Sequence, residues 1–181
     1  LPAEGIGATL GPLLYHGPRA VDVHRQESAE QISVVADHDG YAAKFGVVHE
    51  RTVVLGADGR IVMGRDRLIP TARGARDKAA FAVRFHLHPT VRATRSQGGG
   101  NVLLVCEDRS AWRFAAEGAD AEVEESVFLV GSHGMRRSAQ IVLYGRISGE
   151  TEISWRLEKE ADRVRTRKRP VEERKVEAAV N

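Results

Sequence analysis

The run Phe81-Ala82-Val83-Arg84-Phe85-His86-Leu87-His88-Pro89 decides how this chain is read. Phe81, Val83, Phe85 and Leu87 alternate with Ala82, Arg84, His86 and His88. That is the period of a β-strand, whose successive side chains point to opposite faces. One face of the strand is apolar. The other carries a guanidinium and two imidazoles, a set able to meet an acidic group or a metal.

Working outward, similar β-rich runs recur at residues 31–36, 42–55, 60–68, 91–96, 102–106, 110–115, 122–129, 138–144 and 151–157. Turn signals separate many of them, among them Asp37-His38-Asp39-Gly40, Ala57-Asp58-Gly59, Gly98-Gly99-Gly100-Asn101, Glu117-Gly118 and Ser148-Gly149. Two hairpins stand out. Val53–Leu55 and Arg60–Met63 flank Asp58-Gly59, and Val91–Ser96 and Val102–Cys106 flank the glycine run. No segment before residue 156 shows a helical stripe. The spacing predicts an all-β fold, an antiparallel β-sandwich. Residues 1–7 read as a loop or broken end, 8–157 as the domain, and 158–181 as a charged tail that is helical or disordered.

The chain's 181 residues suit one domain with one core, and 42% hydrophobic and 29% charged residues are ordinary for a globular protein. No apolar run is long enough to cross a bilayer, so no membrane partner is expected. The opening Leu1-Pro2-Ala3-Glu4-Gly5 lacks Met, a basic region and an apolar region, which leads us to expect a fragment or a processed product. Cys106 is the single cysteine, which excludes an internal disulfide and a Cys-rich zinc site; it reads as a small buried strand residue. The net charge of +2 is concentrated. Residues 163–181 hold seven basic and three acidic side chains, which leaves the rest of the chain at −2. The tail's basic cluster lacks interleaved aromatics, so no nucleic-acid partner is expected.

His86 and His88, two apart on a strand, form the candidate metal pair, with a third ligand required from a neighbouring strand. Asp37, Asp39, Glu50 and Asp66 are available to orient such histidines. The alternative is two histidines on a polar sheet face. His38 sits in an Asp-His-Asp-Gly turn, and His49 reads as an exposed strand residue. Gly98-Gly99-Gly100 precedes a strand, not a helix, and so reads as a hairpin loop and not a phosphate cradle. A triad of Ser110, His86 and Asp108 has no nucleophile elbow and is rejected.

Taken in order, His38-Asp39-Gly40-Tyr41, Phe45–Arg51, Ala57-Asp58-Gly59, Asp66-Arg67-Leu68, Phe81–Pro89, Trp112-Arg113-Phe114, Glu124–Phe128 and Arg136–Leu143 resemble the C-terminal region of bacterial heparinase II/III-like proteins over roughly residues 8–157. The resemblance implies a β-sandwich that pairs with an α/α toroid to enclose an acidic polysaccharide. It implies β-elimination on a uronate, in which Tyr and His suit proton transfer near neutral pH. It also implies a divalent metal, zinc or calcium, in some members. His86 matches a position on the metal-bearing strand of such members, and His88 stands beside it. Arg84, His38 and Tyr41 are the expected substrate contacts. The toroid and the His-containing segment that opens the family's sandwich are missing, so the sandwich is expected to be truncated at its N-terminal edge, to be marginally stable or to self-associate, and to be inactive alone. The competing reading is a non-catalytic carbohydrate-binding or structural β-domain. A sugar-cleaving parent would suit the periplasm of a bacterium, but the chain leaves periplasmic and cytoplasmic placement equally open.

Overall fold

The computed structural model describes residues 8–10, 13–96, 100–129 and 134–161. Thirteen strands and one short helix are found among them. β1 (Ala8–Leu10) and β2 (Leu13–His16) pair as a small hairpin. β3 (Val21–Glu27), β4 (Gln31–His38), β5 (Val47–Gly56), β6 (Ile61–Pro70), β13 (Thr151–Lys159), β10 (Ala111–Glu117), β9 (Asn101–Val105) and β8 (Arg92–Arg95) form, in that order, an eight-stranded sheet. β11 (Asp120–Leu129), β12 (Met135–Arg146) and β7 (Ala80–His86) form a three-stranded sheet. Every pairing is antiparallel. The expected all-β sandwich is therefore the fold.

The core lies between the two sheets. Val102, Leu104, Phe114, Ile153 and Trp155 of the large sheet meet Ala121, Ile141 and Leu143 of the small one. Phe81, Val83 and Phe85 pack against this cluster, as their alternation requires. Phe85 is the hinge of the packing, with its ring 5.1 Å from Phe114 and 4.9 Å from Trp155. These buried residues sit on the side of the large sheet from β13 to β9. At the far edge β3 is exposed along its whole length, with Val21 and Val23 about 60% open (58% and 60%). The small sheet thus covers part of the large one, and Phe85 of its edge strand β7 reaches Arg51 of β5.

β5 pairs with β6 around Asp58-Gly59, and β8 pairs with β9, while residues 97–99, which include most of the expected glycine loop, lie outside the described residues. Three expectations need correction. Residues 42–55 are not one strand. Ala42–Phe45 make a single helical turn, α1, which closes at Gly46 in the left-handed region (φ +68°). A Cβ there would also lie 2.0 Å from the Gly74 carbonyl oxygen, so glycine is required on two counts. Residues 21–27, outside the expected strands, form β3. Cys106 is half-buried at the turn after β9 instead of inside the strand. β13 runs to Lys159, and residues 162–181 of the expected tail lie outside the described residues.

Candidate functional site

The register of β4, β5 and β6 stacks polar residues on the core-side face of the large sheet. His38 pairs with His49, and Ala36 with Arg51. Arg51 in turn pairs with Asp66, and Asp66 with Ile153 of the core. One row further in, Gly64 pairs with Trp155. Period-two alternation therefore places His38, His49, Arg51, Asp66 and Trp155 on a single face.

Asp66 is the centre. It is 3% exposed, and three N–H groups converge on its carboxylate. His49 Nε2 and Arg51 Nε each lie 2.7 Å from Oδ1, and Trp155 Nε1 donates to Oδ2 at 2.9 Å. Burial pushes the Asp66 pKa up, but the hydrogen bonds from His49, Arg51 and Trp155 outweigh it and hold the carboxyl below its ordinary value. The Arg51 guanidinium lies over the Phe85 ring, 5.7 Å from its centroid.

The histidines extend this centre toward the rim. His49 Nδ1 lies 3.1 Å from His38 Nε2, and the Gly40 N–H donates to His38 Nδ1 at 3.2 Å. These partners fix the protons. His38 Nδ1 accepts from the backbone, so its Nε2 carries the hydrogen and donates to His49 Nδ1. His49 Nε2 then donates to Asp66. Every imidazole nitrogen of the pair has a protein partner. Burial, then the neighbouring His49, lowers the His38 pKa. The turn that leads into α1 lays Tyr41 beside both rings, at 5.3 Å from His38 and 6.2 Å from His49. Burial raises the Tyr41 pKa, opposed in part by Arg51. Asp39 secures the turn by accepting from the Arg19 and Ala20 N–H groups at 2.7 and 3.1 Å.

The expected site residues thus divide into two groups. His38 and Tyr41 come together. Arg84 and His86 point from the opposite face of β7, away from Phe85 and Arg51. There Arg84 Nη1 lies 3.4 Å from Glu124 Oε2, and its guanidinium lies over the Tyr144 ring. Glu124 also accepts from the Tyr144 hydroxyl and from Gln140 Nε2. His86 Nδ1 is 2.9 Å from Ser126 Oγ. His88 lies past the end of β7, bonded to Thr90 Oγ1 at 2.8 Å and packed on Phe128. Among the described residues no group of three His, Cys, Asp or Glu side chains is arranged to hold a metal ion. Ser110 bonds Asp108 within the β9–β10 turn, with no histidine among their hydrogen-bond partners. Glu50 is on the other face of β5, paired with Arg67 at 2.9 Å.

His49 is not the exposed strand residue expected: its side chain is 18% exposed and turned inward, where Nε2 meets Asp66. Arg51 and Trp155 are the residues that sequence reasoning passed over. Only the doublet His49…Arg51, two apart on a strand, signals them locally.

The fold and family define a heparinase II/III-like C-terminal β-sandwich domain. The chain belongs to the family "Heparinase II/III-like, C-terminal", whose model matches residues 11–156. It is 33% identical over 168 residues to the FtsZ-localized protein C of Caulobacter vibrioides (strain NA1000 / CB15N), an alignment that covers 87% of this chain and 29% of that protein. Among solved structures it is similar to the heparan sulfate lyase HepC from Pedobacter heparinus, with a TM-score of 0.64 at 11% identity over 77% of this chain and 21% of that one. A heparinase III structure gives a TM-score of 0.63 at 10% identity, over 83% and 23%. The chain therefore spans less than a third of the length of each of these relatives.

Proposed function

We propose that this domain is the sandwich half of a polysaccharide lyase that acts by β-elimination on a uronate-containing polymer. In this reading His38 and Tyr41 at the rim contact the polymer, and the domain does not cleave by itself. The family and fold support the first part. The bonding of the cluster supports the last. β-Elimination needs one group to take the C5 proton and another to protonate the leaving oxygen. Both nitrogens of His38 and both of His49 are already bonded within the protein. Tyr41, its pKa raised, stays a neutral phenol near pH 7 and offers a donor, not a base.

The test is retention of the chain on immobilised heparan sulfate and alginate, together with ultraviolet detection of unsaturated uronate. Retention that weakens in Tyr41→Ala and His38→Ala, with no unsaturated product, is expected. Product formed by the chain alone would defeat the non-catalytic part, and a lack of retention on either polymer would defeat the proposed contact.

A second reading is favoured by one observation. The identity to the FtsZ-localized protein C is three times that to the lyase structures. In that reading the sandwich serves a parent that localises with FtsZ and is structural. Co-sedimentation of the chain with assembled FtsZ would favour it, and a chain that stays in the supernatant would dismiss it for this domain.

A further inference from the structure

The fold family implies a divalent cation in the sandwich for some members, and the donors present here do not fit one. A metal needs lone pairs from carboxylate oxygens and unprotonated imidazole nitrogens directed at one point. In the His38–His49–Asp66 cluster those lone pairs face N–H groups of the protein. Asp66 Oδ1 accepts from both His49 and Arg51, and Oδ2 accepts from Trp155. His49 Nδ1 faces His38, and His38 Nδ1 faces the Gly40 N–H. On the other face of the small sheet, His86 and His88 bond separate hydroxyl partners and share no carboxylate.

We propose that Arg51 is the resident cation of this cluster, and that its guanidinium and the ordered His49–His38 pair neutralise and orient Asp66 in place of a metal. Three observations argue together. Arg51 is the direct cross-strand partner of Asp66, so the sheet register itself delivers the charge. Its Nε–H lies along the carboxylate at 2.7 Å, the distance of a charge-assisted bond. Its guanidinium carbon lies 5.7 Å from the centroid of the Phe85 ring, at the edge of the core. A metal entering the cluster would have to displace this cation from a carboxylate that is almost fully buried. Arg51 is thus a positioning residue. It holds Asp66 ionised, Asp66 holds the His49 tautomer, and His49 sets the rim histidine.

The test strips the chain with EDTA, dialyses it against zinc or calcium, and counts bound metal by mass spectrometry beside His49→Ala and Arg51→Met. Urea unfolding is run with and without metal. The wild type is expected to take up no stoichiometric metal at the cluster and to keep one urea midpoint in zinc and in EDTA. Arg51→Met is expected to lower the midpoint, with Arg51→Lys recovering part of the loss. Metal retained equally by wild type and His49→Ala lies elsewhere and agrees with the proposal. Stoichiometric metal that disappears in His49→Ala would overturn it, as would an Arg51→Met chain as stable as the wild type.

Discussion

Gly64→Ala tests whether the core and the polar cluster are one structure. Gly64 sits in β6 opposite Trp155, and the indole lies directly on its Cα. A Cβ added there would be 2.0 Å from Trp155 Cζ2, 2.2 Å from Cε2 and 2.6 Å from Cη2. The ring cannot retreat freely. It is 9% exposed, it meets Phe85 edge-on at 4.9 Å, and its Nε1 is bonded to Asp66 at 2.9 Å. Overpacking a core costs roughly 1–3 kcal/mol. Losing a hydrogen bond to a buried charged group costs roughly 1.5–3 kcal/mol more. The smaller conformational freedom of alanine in the unfolded chain returns about 0.4–1 kcal/mol. The net loss is about 2–5 kcal/mol. With a urea slope of about 2 kcal/mol/M for a domain of this size, the midpoint falls by about 1–2.5 M. Unfolding followed by circular dichroism measures this, with the slope as a check on two-state behaviour. The second arm is a double-mutant cycle with Trp155→Phe, which removes the ring atoms that the new methyl meets. Gly64→Ala should cost much less in that background. An unchanged midpoint, or strictly additive effects, would refute the coupling of Gly64, Trp155 and Asp66.

Two further expectations concern charge. Asp66→Asn leaves His49 and Arg51 facing a neutral amide, and because the Arg51 side chain is 37% exposed and keeps part of its solvation, a urea midpoint should report a loss of about 1.5–3 kcal/mol; a loss under roughly 0.5 kcal/mol, the scale of an ordinary surface substitution, would mean that the carboxylate is not the anchor. The pH dependence has two limbs of known sign. The folded pKa of His38 lies below 6.5, so the unfolded chain binds a proton first, and stability is lost as pH falls from that value toward the folded one. Asp66 has a folded pKa below 3.8, so its contribution is present above 3.8 and is lost as pH falls through the folded value. Thermal melts from pH 8 to 3 should show the upper limb vanish in His38→Gln; parallel wild-type and variant curves above pH 5 would remove His38 from the account.

The sheets were legible because burial imposes a period on the sequence. Phe81, Val83 and Phe85 name the inward face of β7 without any structure. β3 was not legible because both of its faces meet solvent, so Val21-Asp22-Val23-His24-Arg25-Gln26-Glu27 has no apolar side for alternation to mark. α1 is one turn long, too short to repeat a helical stripe. The site was half legible for a related reason. His38 and Tyr41 stand in a turn whose Asp and Gly announce it, whereas the inward direction of His49 and Arg51 contradicts what polarity suggests. Asp66 was among the available carboxylates, yet it orients His49 and not His86. The register explains this reversal. The small sheet ends at β7, whose Phe85 reaches Arg51 of β5, while the large sheet continues to β4 and β3. At that boundary a side chain points toward the core side without being sealed by a second layer, so a polar group is tolerated where its bonds are complete. Asp66, deepest in the row, needs three donors. His38, nearest the rim, needs only a backbone N–H and a neighbouring ring. The gradient of bonding follows the gradient of cover, and neither can be read from a strand considered alone, because Trp155 reaches Asp66 across 89 residues of sequence.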